Sequence, residues 1–332
     1  MIKWLILCVA PLVISLILSR LVIHYFGKRL LDTPNIRSSH STPIPRGGGM
    51  ALATSTIMTA LTAWQLGYIG SAPLYWLLIP SGLIAILGVC DDLFNLDIGI
   101  RLVVQFFLAG LGIYFIGINN NQPLVIQGLM IVGEVLFLVW MTNLYNFMDG
   151  INGLATLEAI SACIGIILIY WIKSIDADAL YLMIIITASS CGFLYWNFPT
   201  AKLFMGDAGS LFLGLSLGLL TLEIFSKDAE LVVAWLIMLG VFIVDASYTL
   251  CYRLITKQAF HQAHRTHTYQ KVAVKFKSHA HTTLAVLAIN LFWLLPLAVA
   301  AATAKLPSIA ALLIAYGPLI LLAKMYHAGR PE

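Results

Sequence analysis

The chain has 332 residues, of which 60% are hydrophobic and only 10% are charged, and its formal net charge is +4. Its mean hydropathy of +0.92 lies far outside the range of soluble domains, so a soluble globular protein is excluded. At roughly 20 residues per transmembrane helix, this length holds about ten or eleven spans and no separate soluble domain. We therefore predict an all-α integral membrane protein, a polytopic helix bundle that forms a single transmembrane domain over residues 1–332.

Eleven sustained apolar stretches predict the transmembrane helices, because each is bounded by polar, Gly or Pro residues. In chain order they lie near residues 4–23, 50–67, 73–89, 100–117, 124–144, 154–172, 179–196, 211–225, 231–252, 282–303 and 307–324. The stretches that begin near 50, 124 and 211 are diluted by Gly and small residues, so they are the weakest predictions of a transmembrane helix. The first stretch could be a cleaved signal peptide, but its length and the basic residues after it fit a retained helix better.

The acidic and histidine-bearing segments fall in every second gap between these stretches. A chain that crosses the membrane at each stretch therefore brings them all to one face. The segments are residues 32–49, Asp91 with Asp92, and residues 146–152, 204–210 and 261–267. Polar residues are thus collected beside a bilayer, as an active site requires.

The distribution of basic residues predicts which face this is. Of the 19 Lys and Arg residues, all but Lys3, Lys173, Lys227 and Lys305 lie on the same side as the polar segments. Because Lys and Arg accumulate on cytoplasmic loops, that face is predicted to be cytoplasmic. An odd number of spans then places the N-terminus outside and the C-terminus inside. The five cysteines include no C-x-x-C pair, so neither a disulfide framework nor a zinc site is indicated.

Two acidic segments are candidates for binding a cation. A charged side chain costs roughly 2.5–3.5 kcal/mol at the centre of a transmembrane helix, so Asp91 and Asp92 belong at the membrane interface beside a cation. The Gly-rich turn at residues 204–210 leaves backbone N–H groups free at a helix start, where phosphate binds, and Asp207 could hold a divalent cation against that phosphate. The alternatives are a solvated helix end and an ordinary N-cap.

Two further loops offer polar groups for a substrate. Amides, a carboxylate and glycines in one loop suit the edges of a nucleobase or sugar, or alternatively a capped turn; its candidates are Asn146, Asp149 and Asn152. Cations and hydroxyls in the other suit an anion, or alternatively a plain connection. The candidates in that second loop are Arg37, Ser38, His40 and Arg46.

The connection near residues 253–281 is the longest polar segment and carries His261, His264, His267 and Arg265. Histidines three residues apart would line one side of a helix, where they could donate to a phosphate or shuttle a proton. Zinc binding is disfavoured because no cysteine or acid accompanies them, and a basic loop at the lipid surface is the alternative. Acids in or near the spans rank below the loop acids; they are Glu134, Glu158, Glu223 and Asp245.

Taken together, these loops resemble the polyprenyl-phosphate N-acetylhexosamine-1-phosphate transferases. The similar segments occur in the order found in that family. They are DTPNIRSSH at 32–40, PRGGG at 45–49, DD at 91–92, NFMDG at 146–150, FMGDAGS at 204–210 and HRTHTYQ at 264–270.

The resemblance implies a single transmembrane catalytic domain in the bacterial inner membrane, with cytoplasmic active-site loops. Such an enzyme transfers an N-acetylhexosamine 1-phosphate from a UDP-sugar to undecaprenyl phosphate, releases UMP and uses Mg²⁺, with Mn²⁺ as an alternative ion. Joining two phosphate-bearing substrates depends on charge neutralisation and alignment, which agrees with the polar loops. The expected partners are these two substrates and membrane lipid; no nucleic acid is expected, and a homodimer is an open alternative.

The resemblance also implies roles for individual residues. Asp207 would be a metal ligand, together with Asp91, and Asp91 and Asp92 would lie at the lipid phosphate, one of them acting as a base. The nucleotide would contact Asn146, Asp149 and Asn152. The expected catalytic residues are Asp91, Asp92, Asp207, His264 and His267, and the expected substrate-binding residues are Arg37, Ser38, His40, Arg46, Asn146, Asp149, Asn152 and Arg265.

The chain departs from the family pattern in two places, and the second distinguishes between its branches. Many relatives carry an acid where this chain has Asn152. The HRTHTYQ segment lacks the consecutive histidines of the phospho-N-acetylmuramoyl-pentapeptide transferases and is more similar to the branch that initiates O-antigen or capsule-type glycans. The pentapeptide transferase and, from another class, a secondary transporter are the alternatives. Transporters place their sites near the midplane on repeated halves, whereas these acids lie at one face without a convincing internal repeat.

Overall fold

The structure, a computed structural model, describes residues 1–27, 31–32, 43–117, 123–258 and 264–331. Its helices are α1 (Ile2–Phe26), α2 (Gly48–Gln65), α3 (Leu74–Phe94), α4 (Ile98–Ile116), α5 (Leu124–Met148), α6 (Leu154–Ile172), α7 (Asp178–Asn197), α8 (Asp207–Phe225), α9 (Ala229–Met238), α10 (Gly240–Ile255), α11 (Thr268–Phe276), α12 (His279–Ala302) and α13 (Ser308–Met325). Two short strands, β1 (Leu31–Asp32) and β2 (Ile44–Pro45), pair antiparallel.

Most of these helices can cross a membrane. Within the described ranges, nine are long and apolar enough, and α9 with α10 makes a tenth if this bent pair is one span. Helix α2 has 18 residues but is not among them, because Gly, Ser and Thr dilute its apolar residues. Every predicted apolar stretch lies on a helix. The prediction of an all-α, polytopic membrane protein is therefore confirmed.

One of the eleven predicted stretches is divided between two helices. The stretch near residues 231–252 consists of α9 and α10, which meet at an angle of 71°. Leu239 lies at the junction with a backbone conformation of φ −87° and ψ 9°, outside the α-helical region. The apolar pattern continues through the junction, so composition alone does not reveal the bend.

Prolines inside α1, α3 and α12 do not interrupt these helices. A proline lacks an N–H and clashes with the carbonyl four residues earlier. Each is preceded by a wider π-helical turn, Leu5–Val9, Leu74–Leu78 or Asn290–Leu294. In α3, for example, Ile79 donates its N–H to the Leu74 carbonyl, five residues back. The wider turn absorbs the misfit, so the helix continues beyond the proline.

Helix α8 is the centre of the bundle. Its apolar stretch is 89% buried, whereas that of α5 is 17% buried. It packs against α2, α3 and α5. Glycines allow this close approach, since a Cβ added to Gly49 would lie 2.0 Å from the Gly209 nitrogen, and one added to Gly88 would lie 2.5 Å from the Ala208 nitrogen. The N-terminal end of α8 is thereby fixed by backbone contacts on two sides.

Candidate active site

The described part of the glycine-run loop is joined to the segment that precedes α8. Gly49 donates its N–H to the Met205 carbonyl at 2.8 Å, and Phe204 donates its N–H to the Pro45 carbonyl at 2.8 Å. The glycine run therefore serves close backbone contact with residues 204–205. The conformation at Gly47, φ +104°, also lies in the left-handed region that favours glycine.

Asp92 caps the N-terminus of α8. Its Oδ1 accepts the backbone N–H of Asp207 at 3.2 Å and its Oδ2 accepts that of Ala208 at 3.4 Å. These N–H groups have no acceptor within the helix, and a negative charge at this end is favourable. Gly206, with φ +73°, allows the approach, because a Cβ there would lie 2.6 Å from Asp92 Oδ2. Asp92 therefore determines where the first turn of α8 lies.

Asp91 is paired with a residue that the sequence did not single out, Arg101. The Asp91 side chain is 6% exposed; its Oδ1 accepts the Leu96 N–H at 2.8 Å and its Oδ2 forms an ion pair with Arg101. The Arg101 guanidinium also lies 3.6 Å from Asp207 Oδ2. One buried and one accessible carboxylate thus share a single cation.

Asp207 is the accessible carboxylate of the site. It is the first residue of α8 and its side chain is 30% exposed. Its Oδ1 accepts a hydrogen bond from Asn146 Nδ2 at 2.9 Å, and the same nitrogen donates to the Ser210 hydroxyl at 3.1 Å. Asn146 therefore links the end of α5 to the start of α8, as expected of a site built from both segments.

Asp149 lies in the same cluster, at the end of α5. Loss of solvent around its carboxyl raises the pKa of Asp149 from 3.8 to about 7, and the charge of Asp92 adds to this shift while Arg46 opposes it. The opposing effect of Arg46 requires that its guanidinium lie near the two acids. Three predicted residues, Arg46, Asp92 and Asp149, are thus brought together.

The histidine segment reaches the site through Tyr269. The Tyr269 hydroxyl donates to the Phe147 carbonyl at 3.0 Å, next to Asn146. The His267 ring stacks with those of Phe147 and Tyr269, with centroid distances of 6.3 and 5.8 Å. His264 and His267 precede α11, so they do not lie on one side of a helix as the spacing predicted.

Asp245 on α10 anchors this segment. It accepts the backbone N–H groups of Thr268 at 2.8 Å and of Tyr269 at 2.9 Å, and its Oδ1 lies 3.5 Å from His267 Nδ1. Asp245, which from the sequence ranked below the loop acids, therefore accepts the N-terminal N–H groups of α11 and is a partner of His267.

His264 is kept uncharged at neutral pH. Burial lowers the pKa of His264 from 6.5 to about 4, and the neighbouring charges of His267 and Arg253 act in the same direction. Its Nδ1 is 2.9 Å from the Thr266 hydroxyl, and its ring stacks on His267 at 5.0 Å. His264 can therefore donate one hydrogen bond as a neutral imidazole. Arg265, between the histidines, is partly exposed.

The remaining predicted residues have other positions. The side chain of Asn152 donates to the Pro199 carbonyl at 3.2 Å. The backbone carbonyl of Asn152 accepts a hydrogen bond from the Thr283 hydroxyl at 2.9 Å. These contacts tie the loop to α12. Three predicted substrate-binding residues lie outside the described residues; they are Arg37, Ser38 and His40.

The donor set fits a Mg²⁺ ion that is held jointly with substrate. Within the described ranges, no group of three His, Cys, Asp or Glu side chains could form a metal site by itself. Mg²⁺ in phosphoryl-transfer sites is bound through one or two carboxylates plus substrate phosphates and water. Asp207 supplies an accessible carboxylate, whereas both oxygens of Asp91 are already engaged by Leu96 and Arg101.

Comparison with known proteins agrees with this geometry. Residues 74–225 match the model of glycosyl transferase family 4. The chain is 29% identical to a probable undecaprenyl-phosphate N-acetylglucosaminyl 1-phosphate transferase of Bacillus subtilis, over 77% of this chain and 73% of that protein. It is 26% identical to an undecaprenyl-phosphate alpha-N-acetylglucosaminyl 1-phosphate transferase of Thermotoga maritima, over 77% of this chain and 79% of that protein.

A third relative belongs to the other branch. The chain is 28% identical to a phospho-N-acetylmuramoyl-pentapeptide-transferase of Wolbachia sp. subsp. Brugia malayi, over 53% of this chain and 58% of that protein. The family-model match runs from α3 through α8 and includes the carboxylates and amide that meet at the start of α8. These similarities support the family that the sequence motifs predict, the polyprenyl-phosphate N-acetylhexosamine-1-phosphate transferases.

Proposed function

We propose that this protein transfers an N-acetylhexosamine 1-phosphate from a UDP-sugar to undecaprenyl phosphate. An oxygen of the lipid phosphate bonds to the β-phosphorus, the bond from that phosphorus to the bridging oxygen breaks, and UMP leaves. The observation that carries this proposal is the meeting of Asp207, Asn146 and Arg101 at the N-terminus of α8. The relatives whose names specify undecaprenyl phosphate and N-acetylglucosaminyl 1-phosphate support the choice of substrates.

The chain's own groups account for binding and alignment. Asp92 and the Gly206 carbonyl already accept the N–H groups at the start of α8, so the positive charge for phosphate comes from Arg101 and Arg46. We infer positioning roles for Asp91 and Asp92, because one holds Arg101 and the other caps α8. Neutral His264 is suited to donate a hydrogen bond to the diphosphate.

We further propose Mg²⁺ as the cofactor, with Mn²⁺ as an alternative ion. Asp207 would hold it, assisted by substrate phosphates. When bound, the ion neutralises charge on the transferred phosphoryl group. Asn146 orients the Asp207 carboxylate, and Arg101 limits the negative charge around it in the protein without substrate.

The proposed location is the bacterial inner membrane, with the active site and C-terminus in the cytoplasm and the N-terminus outside. The basic residues on the site face support this orientation. We propose a role in the first membrane step of O-antigen or another surface glycan. The shorter match to the pentapeptide transferase of Wolbachia keeps peptidoglycan synthesis as the second candidate.

The test compares Asp207→Asn with Asp178→Asn, a substitution at the opposite end of the bundle. In washed membranes supplied with UDP-N-acetylhexosamines and undecaprenyl phosphate, Asp207→Asn should lower UMP release by about 10²–10³-fold. Mn²⁺ binding by purified protein, followed by electron paramagnetic resonance, should weaken in parallel. Asp178→Asn should retain both.

Folded Asp207→Asn protein with normal UMP release would refute the assignment of this residue. UDP-sugar counterflow without a lipid-linked product would instead favour a transporter. A product formed with UDP-N-acetylmuramoyl-pentapeptide alone would favour the second candidate.

A further inference from the structure

The bend between α9 and α10 exposes backbone groups that side chains from two other helices satisfy. The first hydrogen bond within α10 runs from the Ile243 N–H to the Leu239 carbonyl at 3.0 Å. The Phe242 N–H precedes it and has no acceptor in α10. This N–H instead faces the carboxyl group of Glu158, on α6. On the other side of the bend, the Tyr316 hydroxyl donates to the Leu236 carbonyl at 2.7 Å.

Glu158 is completely buried, and its carboxyl group accepts a hydrogen bond from the side chain of Asn290. Asn290 Nδ2, from the π-helical turn of α12, donates to Glu158 Oε2 at 2.6 Å and to the Ser161 hydroxyl at 2.8 Å. Glu158 and Asn290 are both 0% exposed. The carboxyl group thus joins α6, α10 and α12 at one point inside the membrane domain.

The hydrogen bonding around Glu158 requires a proton. Glu158 Oε1 and Asn290 Oδ1 are buried acceptors that have no donor among the described residues. Both belong to side chains already joined through Oε2 and Nδ2. A proton on Oε1 would donate to Oδ1 and complete a pair of parallel hydrogen bonds between an acid and an amide. It would also remove a charge whose burial without a cation is costly.

The bend positions part of the active site. Asp245 lies one turn beyond Phe242 on α10 and accepts the N–H groups of Thr268 and Tyr269. Tyr269 in turn bonds to the Phe147 carbonyl, beside Asn146. A change in the direction of α10 would move Asp245 and, with it, the segment that carries His264 and His267.

We propose that Glu158, in its uncharged form, is a positioning residue for the reaction: it caps α10 at the bend and so places Asp245 and the histidine segment. The activity consequence rests on the proposed function, whereas the structural consequence does not. Gln preserves the shape and hydrogen-bonding pattern of a protonated Glu, including the donor to Asn290. Met fills a similar volume but offers no acceptor to Phe242.

The experiment compares Glu158→Met and Glu158→Gln in the full-length protein in nanodiscs. Amide hydrogen exchange of peptides covering residues 240–245 and 264–270 should accelerate in the Met variant and stay at the wild-type rate in the Gln variant. Product formation should fall about tenfold or more in the Met variant, because misplaced groups lose their alignment, and should persist in the Gln variant. Glu134→Met, which alters another acid within a span, should change neither.

Infrared difference spectra of the wild type against Glu158→Gln provide a second measurement that does not need the Met variant to fold. They should show the loss of a protonated-carboxyl C=O band. Loss of a carboxylate band would overturn the uncharged form, and unchanged exchange in folded Glu158→Met would overturn the positioning role. Faster exchange in the Met variant, with no transferase activity in any form including the wild type, would refute the proposed function but not the cap.

Discussion

At the scale of single residues, Arg101 carries the largest consequence because it lies within ion-pair distance of two acids of unequal exposure. Its partner Asp91 is buried and also accepts the Leu96 N–H. Removing the guanidinium would leave a buried charge without a counter-ion, which costs more than removing both partners. The ion pair therefore stabilises the site chiefly by supplying a counter-ion for the buried charge of Asp91.

We expect Arg101→Met to lower the free energy of unfolding by about 2 kcal/mol, as estimated for hydrogen bonds to charged groups. The double variant Arg101→Met with Asp91→Asn should recover much of that loss. Thermal unfolding of purified protein, in detergent and without divalent ions, measures both. Equal loss in the single and double variants would show that the ion pair does not compensate the buried charge.

Asp149 predicts a pH dependence of stability. Its pKa is raised from 3.8 to about 7, so between these values the folded protein holds a proton that the unfolded chain releases. The folded state therefore loses stability as the pH rises through this window. Asp149→Asn should flatten that part of the profile, measured as unfolding temperature from about pH 4 to about pH 7 in chelator. A profile unchanged from the wild type would contradict the shift, and Asp178→Asn is the matched control.

The roles of individual residues could be predicted from the sequence only where these residues lie in a recognisable motif. The acids and amides that meet at α8 follow from the motif loops, and Asn146 and Asp92 do both contact Asp207. Arg101 has no such signal, since it is a lone basic residue in the first turn of an apolar helix. The ion pair of Arg101 depends on the turn between α3 and α4, which brings this residue back to Asp91.

At the scale of helices, the glycine run allows close backbone contact between α2 and α8. From the sequence alone, this role could not be distinguished from anion binding. Flexible glycines suit both uses, and only the crossing of α2 with α8 decides between them. The Gly49 Cα faces the Gly209 nitrogen so closely that any side chain would meet backbone. Similarly, the bend at Leu239 lies in an unbroken apolar pattern, and the backbone groups beside it meet side chains of α6 and α13.

We expect Gly49→Ala to destabilise the protein by about 1–3 kcal/mol or more, because the methyl group would overlap the backbone of α8. Gly110→Ala is the matched control, because no atom lies within 4 Å of an added Cβ there and the residue is also inside a helix. Folded yield and unfolding temperature, followed by size-exclusion chromatography after heating, report the difference. Equal behaviour of the two variants would refute the close α2–α8 contact.

At the scale of the whole molecule, the alternation of polar segments along the sequence predicted the assembly of the site. Segments from five gaps were expected at one face, and the described part of each reaches the start of α8 or a neighbour of it through hydrogen bonds. The alternation of apolar spans and polar gaps is sufficient for this prediction, because each span carries the chain to the opposite face of the membrane. The distances within the cluster depend on packing and could not be predicted.

The orientation of the bundle predicts opposite labelling of its two ends. In a variant without the exposed Cys251, a cysteine at Lys275 on the site side should react with a membrane-impermeant maleimide only in inverted vesicles. A cysteine at Lys227, just beyond the other end of α8, should react in intact spheroplasts. Reversed labelling would refute a cytoplasmic active site, and labelling of both from one side would refute the alternation of faces.

The enclosure of α8 has a further physical consequence. Lipid-facing helices such as α5 adjust their tilt when a bilayer becomes thicker or thinner, and the helix that bears Asp207 is shielded from that adjustment by its neighbours. Variation in membrane composition therefore acts first on the outer helices, while the geometry around the carboxylate at the head of α8 is insulated from it.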